Sequence, residues 1–273
     1  MLLVLICTVS LATQRSRAAG ARYETLFYSH GGLRLQAYLY KPAGGGPFPL
    51  LVYNHGSRAG QERAQWPAAF IARIFVPRGY GVLVPERRGY GKSDGPTLTA
   101  DLGEDRGRRY VARVRLEAND VLAATNYVLK TRDFVDPRRV AIMGFSFGAS
   151  VTTLAAADDQ KFAAAVVQAP DALSWDRSAE LREALVDAAR RIRVPTFCAV
   201  AANDATTEST RAVCDAVQGN GTAAELKIYP PFTPRRSQRN AAAGHALFGP
   251  DGAALWTDDV VEFLERALPP PRR

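Results

Sequence analysis

The sequence contains few residues of the kinds that hold metal ions. Its 273 residues include three histidines and three cysteines, and neither Cys198 nor Cys214 has a second cysteine or a histidine at the spacing of a zinc site. The segment Gly-Tyr-Gly-Lys-Ser at 89–93 lacks the earlier glycine of a phosphate-binding loop, because Glu86 stands at that position. The sequence therefore predicts no metal site and no bound cofactor.

A long apolar segment is missing at the N-terminus. The run Leu2–Ala12 is too short to span a bilayer, so we expect no stable membrane insertion. The small residues at 18–21 suit signal-peptidase cleavage, although no Lys or Arg precedes the run, which leaves open a mis-set start or an N-terminal strand. We expect residues 1–20 to be a signal peptide and the protein to be periplasmic or secreted; otherwise it is cytoplasmic.

The basic residues do not form a pattern typical of nucleic-acid binding. The formal net charge is +8, but the arginines are scattered and no aromatic residues are interleaved with them. We interpret them as a solvated basic surface. Cys198 and Cys214 are the cysteines that follow the leader, and in an exported protein such a pair predicts a disulfide, with two buried free thiols as the alternative.

Strand-like and helix-like segments alternate along the chain. Residues 24–30 and 33–42 alternate apolar with polar residues around Gly31-Gly32, which predicts a hairpin. Short apolar runs predict buried strands within the segments 49–56, 79–91, 138–144, 162–170, 194–204 and 224–230. Amphipathic segments predict helices at 65–79, 110–132, 148–158, 178–193, 208–218 and 253–268.

This alternation predicts one α/β domain over residues 21–273, with a mostly parallel central sheet and helices on both faces. Ligands of such sheets bind beyond the carboxyl ends of the strands. Polar residues gather after the predicted strands: His55, Glu86, Arg87, Ser146, Asp171 and Asp204.

Ser146 lies between a predicted strand and a predicted helix, in Gly144-Phe145-Ser146-Phe147-Gly148. Glycine two residues before and after a serine allows a turn so sharp that a Cβ at either position would collide with neighbouring backbone. Such a turn presents the serine hydroxyl at the sheet edge, near the N-terminus of a helix. The motif indicates a nucleophilic serine.

A serine nucleophile needs a base and a supporting acid. Of the three histidines, His30 precedes the hairpin turn and His55 is expected to shape a turn, so His245, in a loop before the last helix, is the predicted base. Asp204 follows a strand near the end of the sheet and is the predicted acid. Asp171 also follows a strand and is the alternative acid.

The negative charge that develops on the substrate needs two N–H donors. We expect one from Phe147, the residue after the nucleophile, and the other from the backbone of Ser57.

The segments NHGSRAG, VPERRGYGKSDG, VAIMGFSFGAS, AND and GHALF occur in the order seen in α/β-hydrolases, and the chain resembles the dienelactone hydrolase branch from about Tyr23 to Leu268. The resemblance implies the same triad. It also makes Glu86 and Arg87, together with His55, candidates for contacting the substrate or supporting residues that do, against a local ion pair as the alternative. Dienelactone hydrolases proper use a cysteine nucleophile, so the serine favours a generic ester.

We therefore predict a serine hydrolase that cleaves small-molecule carboxylic esters through an acyl-enzyme intermediate, with a minimal lid, since about one helix lies between the Asp171 and Cys198 strands. Two alternatives stay open. A prolyl-oligopeptidase-like peptidase would use the same triad but carries a large extra domain for which this chain lacks room. A non-catalytic binding protein on a hydrolase scaffold would not need the intact triad. The sequence does not predict an oligomeric state.

Overall fold

The computed structural model describes residues 15–18, 21–159, 161–235 and 242–268. Its centre is a sheet in the order β1-β2-β3-β5-β4-β6-β7-β8-β9. The strands are β1 (Arg15–Ala18), β2 (Ala21–His30), β3 (Leu33–Tyr40), β4 (Phe48–Asn54), β5 (Gly81–Glu86), β6 (Val135–Phe145), β7 (Ala164–Gln168), β8 (Thr196–Ala201) and β9 (Ala224–Tyr229).

The sheet changes direction at β5. Strands β1, β2, β3 and β5 pair antiparallel, whereas β5, β4, β6, β7, β8 and β9 are parallel to one another. The predicted hairpin is confirmed, with Gly31 and Gly32 at φ 55° and 76°, the left-handed conformations of a two-residue hairpin turn. Parallel strands put their carboxyl ends at one edge, where the predicted polar residues lie.

Helices cover both faces of the sheet, as the sequence predicts. They are α1 (Ala69–Phe75), α2 (Leu98–Leu102), α3 (Arg108–Thr131), α4 (Phe147–Asp158), α5 (Ala179–Ala189), α6 (Glu208–Gly219) and α7 (Ala253–Ala267). Side chains from α3, α4, α5 and α6 pack in one core, and those of α1 and α7 in the core on the opposite face. Within β4, Leu50 and Val52 belong to the first core and Leu51 and Tyr53 to the second.

Helices α1 and α2 and strand β6 differ from the sequence prediction. Helix α1 begins only at Ala69, because Ala68 is left-handed at φ 49° and the residue before Pro67 is disfavoured in a helix. Helix α2 was not predicted, and Thr97 caps it by accepting a hydrogen bond from the Ala100 backbone N–H at 3.1 Å. Strand β6 is longer than predicted and starts at Val135. Between β7 and β8 lie α5 and one short 3₁₀ helix, Trp175–Arg177.

The predicted leader lies mostly outside the described residues, which exclude 1–14 and 19–20. Residues 15–18 form β1, whose backbone pairs with residues 21–24 of β2 at one edge of the sheet. None of the helices in the part of the chain that the structure describes combines the length and apolar character needed to cross a bilayer.

Candidate active site

Ser146 occupies a strained turn between β6 and α4. Its backbone has φ 56° and ψ −126°, a conformation that residues other than glycine rarely adopt. The Ser146 N–H donates to Gln168 O at 2.9 Å, which ties the turn to β7. A Cβ on Gly144 would overlap the backbone of Gly148, so the first glycine of the motif is required sterically. The turn therefore fixes Ser146 at the edge of the sheet.

Three side chains distant in the sequence form a hydrogen-bonded chain at this edge. The Ser146 hydroxyl lies 2.9 Å from His245 Nε2, and His245 Nδ1 lies 3.0 Å from each carboxylate oxygen of Asp204. An ionised carboxylate can only accept, so Nδ1 carries the proton and Nε2 is left to accept from the hydroxyl. The Asp204 side chain is fully buried. This arrangement can deprotonate the serine hydroxyl as it attacks.

Local backbone contacts hold the acid and the base together. Asn203 donates to Phe232 O and accepts from Phe232 N, each at 2.9 Å, which anchors the loop after β8. Gly244 approaches that loop so closely that a Cβ would lie 2.6 Å from Asp204 N. His245 follows in a 3₁₀ helix, Ala243–Phe248, with its ring 4.9 Å from the ring of Phe145. The Gly-His pair therefore lets the histidine loop reach Asp204.

Asp171, the alternative acid, has another partner. Its Oδ1 accepts a hydrogen bond from the Tyr110 hydroxyl at 2.5 Å, and its backbone N–H donates to Ser146 O at 3.3 Å. Asp171 lies behind the turn rather than on the His245 ring, and burial raises the pKa of its carboxyl group. Of the two aspartates, the structure places Asp204 against the base.

The two predicted N–H donors come from different segments. Phe147 is the first residue of α4, so its N–H has no acceptor within the helix. Ser57 is partly exposed and follows Gly56, where a Cβ would lie 3.5 Å from Ser146 Cβ. The segment after β4 therefore passes directly beside the serine.

Glu86, Arg87 and His55 are fully buried. Arg87 Nε donates to Glu117 Oε2 at 2.6 Å, and Arg58 Nη2 donates to Glu86 Oε2 at 2.5 Å. Glu86 and Arg87 therefore each form an ion pair, but with partners distant in the sequence and not with each other. All three side chains contact other protein residues in the structure, and contact with a substrate stays a prediction.

Two buried charged residues near Arg87, Arg113 and Glu117, were not singled out from the sequence. Arg113 Nε donates to Glu117 Oε1 at 2.7 Å, so Glu117 is paired with two arginines. The signal was present, because Arg113 and Glu117 lie on the apolar face of the predicted helix α3, where an uncompensated charge is costly. Arg58 and Tyr110 gave no such signal.

The predicted disulfide is not formed in the structure. Cys198, in β8, and Cys214, on α6, are both free and buried. A hydrogen bond with Cys214, together with burial, raises the pKa of the Cys198 thiol. The two thiols are neighbours, but both lie in the core between a strand and the helix that covers it, where they pack as small apolar side chains. In the described residues, no group of three His, Cys, Asp or Glu side chains could hold a metal ion.

Comparison with known proteins places the chain among hydrolases. A model of the X-Pro dipeptidyl-peptidase (S15) family matches residues 31–186, which is more than half of the chain. The quorum-quenching protein AidA of Acinetobacter baumannii (strain MDR-ZJ06) is 32% identical over 143 residues, 52% of this chain and 42% of AidA. Esterase FrsA of Salmonella paratyphi B is 33% identical over 135 residues, 50% of this chain and 28% of FrsA. The chain spans less than half the length of these two relatives.

The fold is also found among solved structures. Acetyl xylan esterase 1 from Thermoanaerobacterium sp. JW/SL YS485 superposes with a TM-score of 0.62 at 19% sequence identity, over 95% of this chain and 89% of the esterase. The superposition and the sequence matches confirm the predicted α/β-hydrolase superfamily. The dienelactone hydrolase-like subfamily stays a prediction.

Proposed function

The chain belongs to the X-Pro dipeptidyl-peptidase (S15) family, and we propose that it is a serine hydrolase that cleaves small-molecule carboxylic esters. The observation that carries the proposal is the hydrogen-bonded chain from Ser146 through His245 to Asp204. The name of the relative FrsA, an esterase, supports ester chemistry. The serine nucleophile favours a generic ester over a dienelactone.

In the proposed mechanism, Ser146 Oγ attacks the ester carbonyl carbon while His245 Nε2 takes the hydroxyl proton. The carbonyl oxygen becomes an oxyanion that accepts hydrogen bonds from the N–H groups of Phe147 and Ser57. Asp204 stabilises the imidazolium, which then donates its proton to the departing alkoxide and releases the alcohol. These steps leave an acyl-Ser146 ester.

Water completes the cycle by the same route. His245 takes a proton from a water molecule as the water oxygen attacks the acyl carbon, and returns it to Ser146 Oγ as the carboxylic acid leaves. These steps use side chains and backbone N–H groups of the chain alone. The short segment between β7 and β8 favours a short or bulky polar ester over a long-chain lipid.

A peptidase is the second candidate, because the description of the matching family names X-Pro dipeptides. A panel of aryl esters varied in acyl length and charge, run beside aminoacyl-prolyl arylamides, separates the two functions. We expect hydrolysis of at least one ester and no measurable hydrolysis of the arylamides, because a peptidase would also cleave the more reactive aryl esters. Hydrolysis of an aminoacyl-prolyl arylamide would replace the proposal with the peptidase. Hydrolysis of neither class would favour a binding protein on a hydrolase scaffold.

We also propose that residues 1–20 are removed on export, which the small residues at 18–21 support. N-terminal sequencing of protein recovered outside the cytoplasm should then begin at Ala21 or Arg22. A mature chain that begins at Met1 would contradict the proposal.

A further inference from the structure

We propose that Glu86 is a positioning residue, which holds the backbone N–H of Ser57 in place through Arg58. This inference rests on the proposed function, since it gives Glu86 a task in stabilising the oxyanion. We call residues 55–66, between β4 and α1, the oxyanion segment.

Glu86 contacts the oxyanion segment at three points along its length. Its Oε2 accepts a hydrogen bond from Arg58 Nη2 at 2.5 Å and lies 3.4 Å from His55 Nε2. Its Oε1 accepts from the Trp66 backbone N–H at 2.9 Å. These contacts fall at the first residue of the segment, next to Ser57 and at the last residue. One carboxylate at the end of β5 therefore ties the whole segment to the sheet.

The backbone conformation of Arg58 requires a stabilising contact of this kind. It has φ 48° although it is not a glycine, and a strained residue keeps this conformation only when its surroundings impose it. Its guanidinium also donates to Ala64 O at 3.1 Å and to Glu62 O at 3.2 Å, both within the oxyanion segment. The side chain is 12% exposed, and its guanidinium carbon lies 5.1 Å from the centre of the Tyr90 ring. The Glu86 contact therefore braces a strained residue that directly follows Ser57.

The contact between Glu86 and Arg58 acts on the position of the Ser57 N–H donor. Gly56 lies beside Ser146, and the Ser57 N–H belongs to the peptide unit that joins Gly56 to Ser57, directly before Arg58. A displacement of about 1 Å in a positioned group costs about 100-fold in rate. Burial raises the pKa of Glu86, and Arg58 is the largest of the charges that oppose the rise. The geometry carries the same point, since Glu86 accepts hydrogen bonds from both Arg58 and the Trp66 N–H.

Four variants test the inference: Glu86→Gln, Arg58→Met, the double variant of these two, and Arg88→Met as a matched control. Glu86→Gln keeps the size of the side chain and removes its charge. Arg88 follows the same strand and pairs with Asp120 at 2.7 Å, away from the oxyanion segment. Thermal unfolding identifies variants that do not fold. Arg58, with its partly exposed side chain, keeps the test usable if Glu86→Gln fails to fold.

The measurements are kcat and KM for a short-chain aryl ester and the inhibition constant of an aryl trifluoromethyl ketone, whose adduct with the serine carries an oxyanion. We expect Glu86→Gln and Arg58→Met each to lower kcat by about 10- to 100-fold with KM little changed. Each should also weaken binding of the ketone by a similar factor. The double variant should resemble the single ones, because the two residues act as a unit. Arg88→Met should retain kcat.

Folded Glu86→Gln or Arg58→Met protein with wild-type kcat and wild-type ketone affinity would overturn the inference and leave the proposed function standing. An equal loss of kcat in Arg88→Met would also overturn it, since it would indicate a general effect of ion pairs beside the site. Wild-type protein that neither hydrolyses the ester nor binds the ketone would instead contradict the proposed function itself.

Discussion

Gly148 lies directly against the main chain at the end of β4, so that a Cβ on this glycine would overlap the carbonyl oxygens of Asn54 and His55. The contact joins the first turn of α4 to the start of the oxyanion segment. The turn that carries Ser146 and the segment that carries Ser57 therefore have a fixed separation. This separation is possible because Gly148 has no side chain.

Gly148→Ala should consequently lower both stability and activity. The added methyl group must push α4 away from β4, and overpacking of this kind costs about 1–3 kcal/mol in the free energy of unfolding. Chemical denaturation measures the loss. Gly219→Ala, also on a helix but with nothing within 4 Å of the added Cβ, is the control and should be neutral or slightly stabilising. Wild-type stability in Gly148→Ala would show that α4 can shift freely.

Replacing the two candidate acids separates their roles. Asp204→Asn should lower kcat by roughly 10⁴-fold, because an amide favours the wrong tautomer of His245. Asp171→Asn should keep most of the activity, since its carboxyl group contacts the Tyr110 hydroxyl. Steady-state kinetics on one ester substrate decides between them. A nearly wild-type Asp204→Asn with an inactive Asp171→Asn would reverse the assignment.

His55 should make the protein less stable in mild acid. Burial, together with the charges of Arg87 and Arg58, lowers the pKa of His55 well below its ordinary value. The unfolded chain therefore binds a proton below the free-histidine pKa of about 6.5 that the folded chain does not, and the free energy of unfolding falls with decreasing pH by up to about 1.4 kcal/mol per unit.

The measurement is denaturant unfolding of wild type and His55→Gln between pH 5 and 8. Subtracting the two profiles removes the other titrating groups, and the wild type should lose stability relative to the variant as pH falls below about 6.5. Parallel profiles would mean that folding leaves the His55 pKa unchanged.

The cysteines offer a direct check on the core around β8. Because Cys198 and Cys214 are free and buried, both should resist alkylation by iodoacetamide in the folded protein and react once it is unfolded. Mass spectrometry under non-reducing conditions counts the alkylated sites. A mass lower by two hydrogens, with neither Cys198 nor Cys214 alkylated after unfolding, would reveal a disulfide instead.

The sequence predicted the features that depend on local pattern. The alternation of apolar runs indicates the parallel sheet, and glycines around Ser146 indicate the sharp turn because a close approach of backbone excludes a Cβ. The residues brought together by the sheet, His245 and Asp204, could be proposed because the carboxyl ends of parallel strands meet at one edge. Chain order and turn residues then favoured Asp204 over Asp171.

The remaining features depend on partners distant in the sequence. Arg58 has no local signal, since an arginine after a strand is usually exposed, and its contact with Glu86 exists only once β4 and β5 lie side by side. The disulfide prediction was wrong because the number and spacing of cysteines say nothing of how two thiols pack in the core. The predicted start of helix α1 is too early, because the helical spacing of apolar residues continues through Pro67 into the residues before it.

Labelling with a fluorophosphonate probe tests whether Ser146 is the nucleophile, because the probe forms a covalent bond only with an activated serine. We expect the labelled peptide of the wild-type protein to carry the modification on Ser146. Ser146→Ala should take up no label and lose nearly all ester hydrolysis while its thermal unfolding is unchanged. Label on a different serine, or wild-type ester hydrolysis by Ser146→Ala, would contradict the assignment of Ser146 as the nucleophile.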